Sequence, residues 1–418
     1  MDQPKKNPIR ELHPNIWAVS LTSFLMDISS EMVLNILPLF LSAVLGVKTN
    51  IIGIIEGVAE ATSSVLKVFS GWLSDKLRSR KWLAVIGYGI SALAKPFFYF
   101  ASTWEAVGAI RWADRVGKGI RTAPRDALVA DNVQPEQRGL AFGLHRAADT
   151  AGAVLGILIA AFVVWKLQAA GSALQERTFH TIVLISIIPA FLAVISLAVM
   201  TREKKPQGDA KAPKISFRGL GKNFLLFMII VGIFDLGNSS DAFLVLRAQE
   251  RGMSALSILI MLAVFNFVYT LVSTPAGMIS DKIGRKKMII GGWTMYALIY
   301  LGFALAQNVT HIWLLYVAYG LYYGMAYGTA KAMLSDLVPH ELRGTAFGTY
   351  NAVLGILDFP ASLIAGLLWS GAGSWKGFGA SAPFFFGAAL AAVAIVLMIF
   401  WKPESQTTDT IEGAATVN

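Results

Sequence analysis

The segment Gly277-Met278-Ile279-Ser280-Asp281-Lys282-Ile283-Gly284-Arg285-Lys286-Lys287 has a degenerate counterpart about two hundred residues earlier, Gly71-Trp72-Leu73-Ser74-Asp75-Lys76-Leu77-Arg78-Ser79-Arg80-Lys81. A second pair lies at nearly the same offset, Asp131-x3-Pro135-Glu136-x-Arg138-Gly139-x-Ala141-Phe142-Gly143 against Asp336-x2-Pro339-x-Glu341-x-Arg343-Gly344-x-Ala346-Phe347-Gly348. The chain is therefore two copies of one unit, and repetition on this scale constrains the fold more than any local propensity.

A protein of 418 residues that is 55% hydrophobic and 15% charged, with mean hydropathy +0.58, is too apolar for water and takes the lipid bilayer as its solvent. Apolar runs long enough to cross a hydrocarbon core about 30 Å thick are expected near 16–45, 51–74, 82–102, 104–130, 140–165, 180–200, 223–247, 255–279, 287–307, 311–335, 345–371 and 381–401. The first run is too long for a signal-peptide core and is read as a retained helix. Zero cysteines exclude disulfides and thiolate metal sites.

The pattern Gly-x3-Asp-(Arg/Lys)-x-Gly-Arg-(Arg/Lys) between apolar segments, repeated half a chain later, resembles the major facilitator superfamily of secondary transporters over nearly the whole chain. The second copy matches fully, whereas the first carries Arg78 for the glycine and Ser79 for the first arginine. The resemblance implies an all-α integral membrane fold of 12 transmembrane helices in two six-helix bundles. The motifs then lie on the cytoplasmic loops joining helices 2 and 3 and helices 8 and 9, and Gly71, Asp75, Arg80, Arg138, Gly277, Asp281, Gly284, Arg285 and Arg343 are expected to form a cytoplasmic gate that latches the bundles. The expected divisions are an N-terminal bundle 1–200, a linker 201–223, a C-terminal bundle 224–401 and a disordered tail 402–418. The Lys and Arg residues of the two motif loops and the linker outnumber those of the alternate loops, which orients both termini to the cytoplasm. The net charge of +10 is then mostly topology, with no nucleic acid partner implied.

A charge inside a membrane helix costs about 2.5–3.5 kcal/mol on insertion scales, so it faces a bundle interior or a cavity. The N-terminal unit holds many such groups. Asp27 and Glu31 are four apart in the first span; Glu56, Glu60 and Lys67 lie along one face of the second. Lys95 precedes Pro96, and the fourth span carries Arg111, Asp114, Arg115, Lys118, Arg121, Arg125 and Asp126. His145, Arg146 and Asp149 follow in the fifth. The C-terminal unit is poorer, with Asp235, Asp241, Lys331 and Asp358, so the N-terminal unit is expected to carry ion coupling and much of the polar recognition. Proton-coupling candidates are Asp27, Glu31, Glu60, Arg111 and Asp149. Substrate-binding candidates are Arg115, Lys118, Lys95, Asp235, Asn266, Tyr323, Tyr327 and Asp358. Buried structural ion pairs are the competing reading for the mid-depth charges.

Arg111-Trp112-Ala113-Asp114-Arg115-Val116-Gly117-Lys118-Gly119 resembles the family's second motif, in which the arginine of drug–proton antiporters is implicated in proton transfer; Arg111 takes that place. Arg115 and Lys118 stand where the family keeps small or apolar residues and favour an anionic substrate. The antiporter signature of the fifth span is half present, with Gly152-x3-Gly156 but Ile157 in place of proline. The expectation is an alternating-access transporter of the plasma (inner) membrane, proton-coupled, monomeric and in contact with lipid, that moves a small anionic or amphiphilic solute. An amphiphile-exporting antiporter and a non-transporting receptor are the alternatives. No nucleotide loop, His-x3-His pair or nucleophile with a base is found, so no enzyme activity, cofactor or metal is expected.

Overall fold

In the computed structural model, residues 12–77, 79–133, 137–169, 172–203, 220–338 and 342–402 are described, without the side chains of residues 138, 139, 274, 281, 327, 328, 343 and 344. The described residues are overwhelmingly helical. In order come α1 (Pro14–Leu34), the short α2 (Leu37–Leu39) with a π turn at Phe40–Val44, α3 (Thr49–Leu77), α4 (Lys81–Ala94) and a tight turn of 3-10 helix at Lys95–Tyr99. There follow α5 (Trp104–Ala130), α6 (Arg138–Leu167), α7 (Glu176–Met200), α8 (Gly221–Leu236), α9 (Ala242–Glu250) and α10 (Ala255–Ile283). The chain continues through α11 (Arg285–Leu305), α12 (Val309–Asp336), α13 (Arg343–Ser370) and α14 (Ala382–Phe400).

Helix starts follow local chemistry. Thr103, Ser254 and Asn308 cap α5, α10 and α12 by accepting from the backbone N–H three residues on. Gly284 separates α10 from α11 in a left-handed conformation, φ 94°, that only glycine adopts without strain. The apolar run expected over 223–247 is broken between α8 and α9. Its middle, Gly237-Asn238-Ser239-Ser240-Asp241, is rich in residues that offer the backbone alternative hydrogen bonds.

Seven helical stretches are long and apolar enough to cross a membrane by length and composition: 14–44, 140–167, 176–200, 255–280, 285–305, 345–370 and 382–400. The other expected spans fall short for identifiable reasons. α3 and α5 carry the charges that line the interior, α4 gives way to 3-10 geometry at Pro96, α8 stops at the break, and the tyrosines and glycines of α12 lower its hydropathy.

α1 packs on α6 and α7, α4 on α5 and α7, and α5 on α3, while α11 packs on α12 and α14 and α8 on α14. Three helix contacts among the described residues join residues before 204 to residues after 219: α3 along α13, α6 along α10, and the short α2 against α9. The α3–α13 contact is close because it is built on glycine. A Cβ on Gly53 would overlap the Ser362 carbonyl oxygen, and one on Gly355 would overlap the Ser64 side chain.

Polar bonds between the two segments gather at the end away from the repeated motifs. Asn50 donates from its backbone to Ser370 Oγ at 3.1 Å and from Nδ2 to the Gly371 carbonyl at 2.9 Å. Ser42 Oγ donates to Gln249 Oε1 at 2.7 Å. The apolar core divides in the same sense. One cluster runs through both segments, whereas a second, formed by residues such as Leu12, Ile16, Tyr88, Leu128 and Leu197 at the motif end, contains N-terminal residues alone.

Candidate functional site

Between the segments lies a cavity of about 530 Å³, whose walls are α1, α2, α3, α5 and α6 on one side and the α8–α9 break, α9, α10, α12 and α13 on the other. A second cavity of 310 Å³ shares Glu31, Lys118, Arg146 and Asn266 with it and continues toward the motif end past Lys67 and Arg125.

α5 supplies the densest wall. Arg111, Asp114, Arg115, Lys118, Arg121 and Arg125 recur at helical spacing and so share a face. The helix sits close to α4, where a Cβ on Gly117 would strike the backbone of Gly87 and Ser91. Ser91 Oγ donates to the Asp114 carbonyl at 3.0 Å and accepts from Arg121 Nη1 at 2.6 Å.

On this face six charges form a ladder. Arg111 grips Glu56 with both Nη2 (2.7 Å) and Nε (3.3 Å), and its Nη2 also reaches Glu60 at 3.3 Å. Arg115 Nε lies 3.2 Å from the same Glu60 oxygen. Asp114 stands 3.8 Å from both Arg111 and Lys95, and Lys95 Nζ donates to Ser30 Oγ at 3.2 Å. Three cations (Lys95, Arg111, Arg115) meet three carboxylates (Glu56, Glu60, Asp114), so the ladder is formally neutral. This is how so many charges remain at depth. Lys118, one turn on, makes no ion pair among the described residues.

The motif-ward cavity is lined by Asp27 and Glu31 of α1 and by Arg146 and Asp149 of α6. Glu31 accepts from Asn35 Nδ2 at 2.8 Å, and Asp149 lies 3.6 Å from His145 Nδ1. His145 Nε2 and Arg125 meet on Ser23 Oγ at 2.9 and 3.3 Å. Arg146 Nη2 crosses to the other segment and donates to Tyr269 Oη at 3.2 Å.

The opposite wall is aromatic and acidic. Phe265, Tyr316, Tyr319 and Tyr323 pack ring against ring, and Tyr319 Oη donates to Asp241 at 2.9 Å. Asp241 belongs to the break between α8 and α9, which brings Asn238, Ser239 and Ser240 to the cavity as well. Broken helices of this kind expose backbone and short polar side chains at a transporter's centre.

The structure thus brings Glu31, Glu60, Arg111, Arg115, Lys118, Asn266, Tyr323 and Asp358 to the larger cavity, and Asp27 and Asp149 to the smaller. Lys95 is buried in the ladder behind the wall, and Asp235 is buried in α8; neither lines either of these two cavities. The side chain of Tyr327 lies outside the described residues. Glu56, Arg146 and Asp241, read from the sequence only as interior charges, join the site, and Tyr316 and Tyr319 line it beside Tyr323. For Asp241 the available signal was the cluster of turn-forming residues inside an apolar run.

At the motif end, Arg80 pairs with Asp75, donates to Ser74 Oγ at 2.8 Å and reaches Asp131 at 3.3 Å. Glu203 accepts from the backbone N–H groups of Arg80 (2.8 Å) and Lys81 (3.0 Å) and so caps α4. In the second copy Arg285 pairs with Asp336 at 2.7 Å. The two arginines do the same work, so Arg80, two residues beyond Arg78, is the structural partner of Arg285. Gly71 and Gly277 are helical, and the side chains of Arg138, Asp281 and Arg343 lie outside the described residues.

The fold, the lipid-compatible helices and the charged central cavity define a multi-pass membrane transporter. The family model of the Major Facilitator Superfamily matches residues 19–260 and 225–416, and the chain belongs to that family. It is 36% identical over 397 residues to an MFS-type transporter of Methanocaldococcus jannaschii, covering 94% of this chain and 96% of the relative. It is also 22% identical over 347 residues to the cis,cis-muconate transport protein of Acinetobacter baylyi, covering 78% and 80%. Among solved structures it is similar in fold to a D-xylose-proton symporter, with a TM-score of 0.76, 16% identity and coverage of 94% and 98%.

Proposed function

We propose that this protein is a proton-coupled, alternating-access transporter of the plasma membrane that moves a small anionic or amphiphilic solute. Its twelve spans form two six-helix bundles, with α8 and α9 together making one span and both termini in the cytoplasm. In that orientation the polar bonds of Ser42 and Asn50 between the segments lie on the side away from the cytoplasm, which supports an inward-facing arrangement, and the two motif clusters act on the cytoplasmic side.

The observation that carries this reading is the ladder of Arg111, Arg115, Glu56 and Glu60 in the wall of a cavity that both segments enclose. Glu60 is shared by two arginines, so a proton or a solute anion arriving there changes how the guanidiniums are partnered. Asp27, Glu31 and Asp149 supply further proton sites toward the cytoplasm. Lys118 offers the anion a cation that makes no ion pair among the described residues. The relative named for cis,cis-muconate, a carboxylate anion, agrees with that charge preference. The wall of Phe265, Tyr316, Tyr319 and Tyr323 favours a second reading, an antiporter exporting amphiphilic compounds.

The test is flux in proteoliposomes. A thermal-shift screen of the purified protein against metabolites and drugs selects solutes, which are then followed under an imposed pH gradient with a lumenal pH dye. Proton coupling predicts gradient-driven accumulation that is lost in Asp27→Asn, Glu60→Gln or Asp149→Asn while exchange of bound solute persists. Accumulation by all three variants at the wild-type level removes these carboxylates from the mechanism.

A further inference from the structure

The charges that border the larger cavity are sorted by segment. Its cations, Arg111, Arg115, Lys118 and Arg146, all come from residues before 204. The wall from residues after 219 contributes Asp241 and Asp358, and no Lys or Arg among the described residues. The sorting survives an account of the partners already present. Glu56 and Glu60 are taken by Arg111 and Arg115, and Glu31 accepts from Asn35. What remains on that wall is a positive surplus: Lys118 makes no ion pair among the described residues, and beside it the buried Arg115 has only a Glu60 that it shares with Arg111. Opposite them Asp358 makes no ion pair among the described residues, and Asp241 holds one partner, Tyr319. Tyr316 Oη borders the cavity there, buried and without a partner.

We infer that the cavity binds a dipolar solute, a small molecule with an anionic group that pairs with Lys118 and Arg115 and an ammonium group that pairs with Asp358 and Asp241. This deepens, and rests on, the transporter reading above, and narrows its substrate class. A purely anionic solute satisfies one wall and leaves the two carboxylates of the other with no ion pair among the described residues, which is costly in a confined space. A purely cationic one leaves Lys118 in the same position. A dipolar molecule lying across the cavity meets both walls with charge-assisted hydrogen bonds, and its frame lies along Phe265 and Tyr316. The volume of 530 Å³ admits a molecule of metabolite size.

The experiment uses the full chain in detergent and a set of matched probes. These are para-aminomethylbenzoate with para-methylbenzoate and para-methylbenzylamine, and the ω-amino acids from β-alanine to aminocaproate with their deaminated and decarboxylated analogues. Thermal shift and titration calorimetry measure each on wild type, Lys118→Gln and Asp358→Asn. At least one dipolar probe is expected to bind about tenfold or more tightly than both of its singly charged analogues, a difference of the size one charge-assisted bond supplies. Lys118→Gln then weakens the dipolar probe and its carboxylate analogue but spares the amine, and Asp358→Asn weakens the dipolar probe and the amine but spares the carboxylate. If no dipolar probe outperforms its analogues, including a set in which nothing binds, or if Asp358→Asn leaves the best dipolar probe unchanged, the inference fails. Failure of the transporter reading looks different: dipolar probes bind with the stated variant pattern, yet none crosses proteoliposomes under a pH gradient.

Discussion

Arg285 sits 2.7 Å from the carboxylate of Asp336, 51 residues on, and the same 51-residue spacing separates Arg80 from Asp131 at 3.3 Å. Lys81 and Lys286, each one residue further, donate to backbone carbonyls at Thr201 and Trp401, past the ends of α7 and α14. The duplication is thus written into bonds as well as residues.

These arginine–aspartate pairs are half exposed on the acid side, so each contributes about 0.2–1 kcal/mol to stability. Asp131→Asn and Asp336→Asn are therefore expected to leave the melting temperature nearly unchanged while speeding exchange between conformations severalfold. The chain has no cysteine, so dyes on Leu77→Cys and Lys287→Cys report the motif-end separation by single-molecule transfer. Identical dwell times in parent and variants would exclude a latch.

Arg111 holds Glu56 with two bonds in a buried setting, both side chains about 5% exposed. Removing one partner strands the other, at about 3–5 kcal/mol. Arg111→Gln is expected to lower the melting temperature sharply, and adding Glu56→Gln to restore a substantial part. A double variant no more stable than the single one would show that the pair does not act as a unit.

Arg247 has no exposed surface and donates to the carbonyls of Phe303 and Ala304 at 3.0 Å and to Ser381 Oγ at 3.1 Å, tying α9 to the end of α11 and the start of α14. Its loss leaves buried acceptors bare, and Arg247→Met is expected to cost about 3 kcal/mol. Glu250, its half-exposed partner at 2.7 Å, is expected to cost under about 1 kcal/mol as Glu250→Gln. Equal melting temperatures for the two variants would contradict the ordering.

Gly53 lets α3 touch α13 at the carbonyl of Ser362. Gly53→Ala is expected to push these helices apart and populate an arrangement open at the end away from the motifs, since interfaces adjust by switching rather than by gradual strain. Dyes on Lys48→Cys and Phe378→Cys, both exposed, would show the longer distance as a new population; an unchanged distribution would mean that the contact tolerates a methyl group.

The residues alone reveal the repeat, the apolar runs and the charged faces of α3 and α5, because each is a local or periodic property. Arg80 and Asp131, Arg285 and Asp336 stand in twin motifs and are legible as counterparts, although the register of the first loop is not: aligned by sequence Ser79 answers Arg285, and only the bond to Asp131 shows that Arg80 does. Spacing places Arg111, Asp114, Arg115 and Lys118 on one side of a helix, yet which carboxylate each meets depends on the rotation and crossing of α3, α4 and α5. That is a matter of packing, so Lys95 is read as a candidate ligand site and proves to be the far rung of a neutral ladder. Asp235 and Asp241 are six residues apart on one apolar run, and the break at Gly237 sends the first into the protein and the second to the cavity. The apolar average of that run hides the break, because a hydropathy window sums side chains and does not see where the backbone finds its hydrogen bonds.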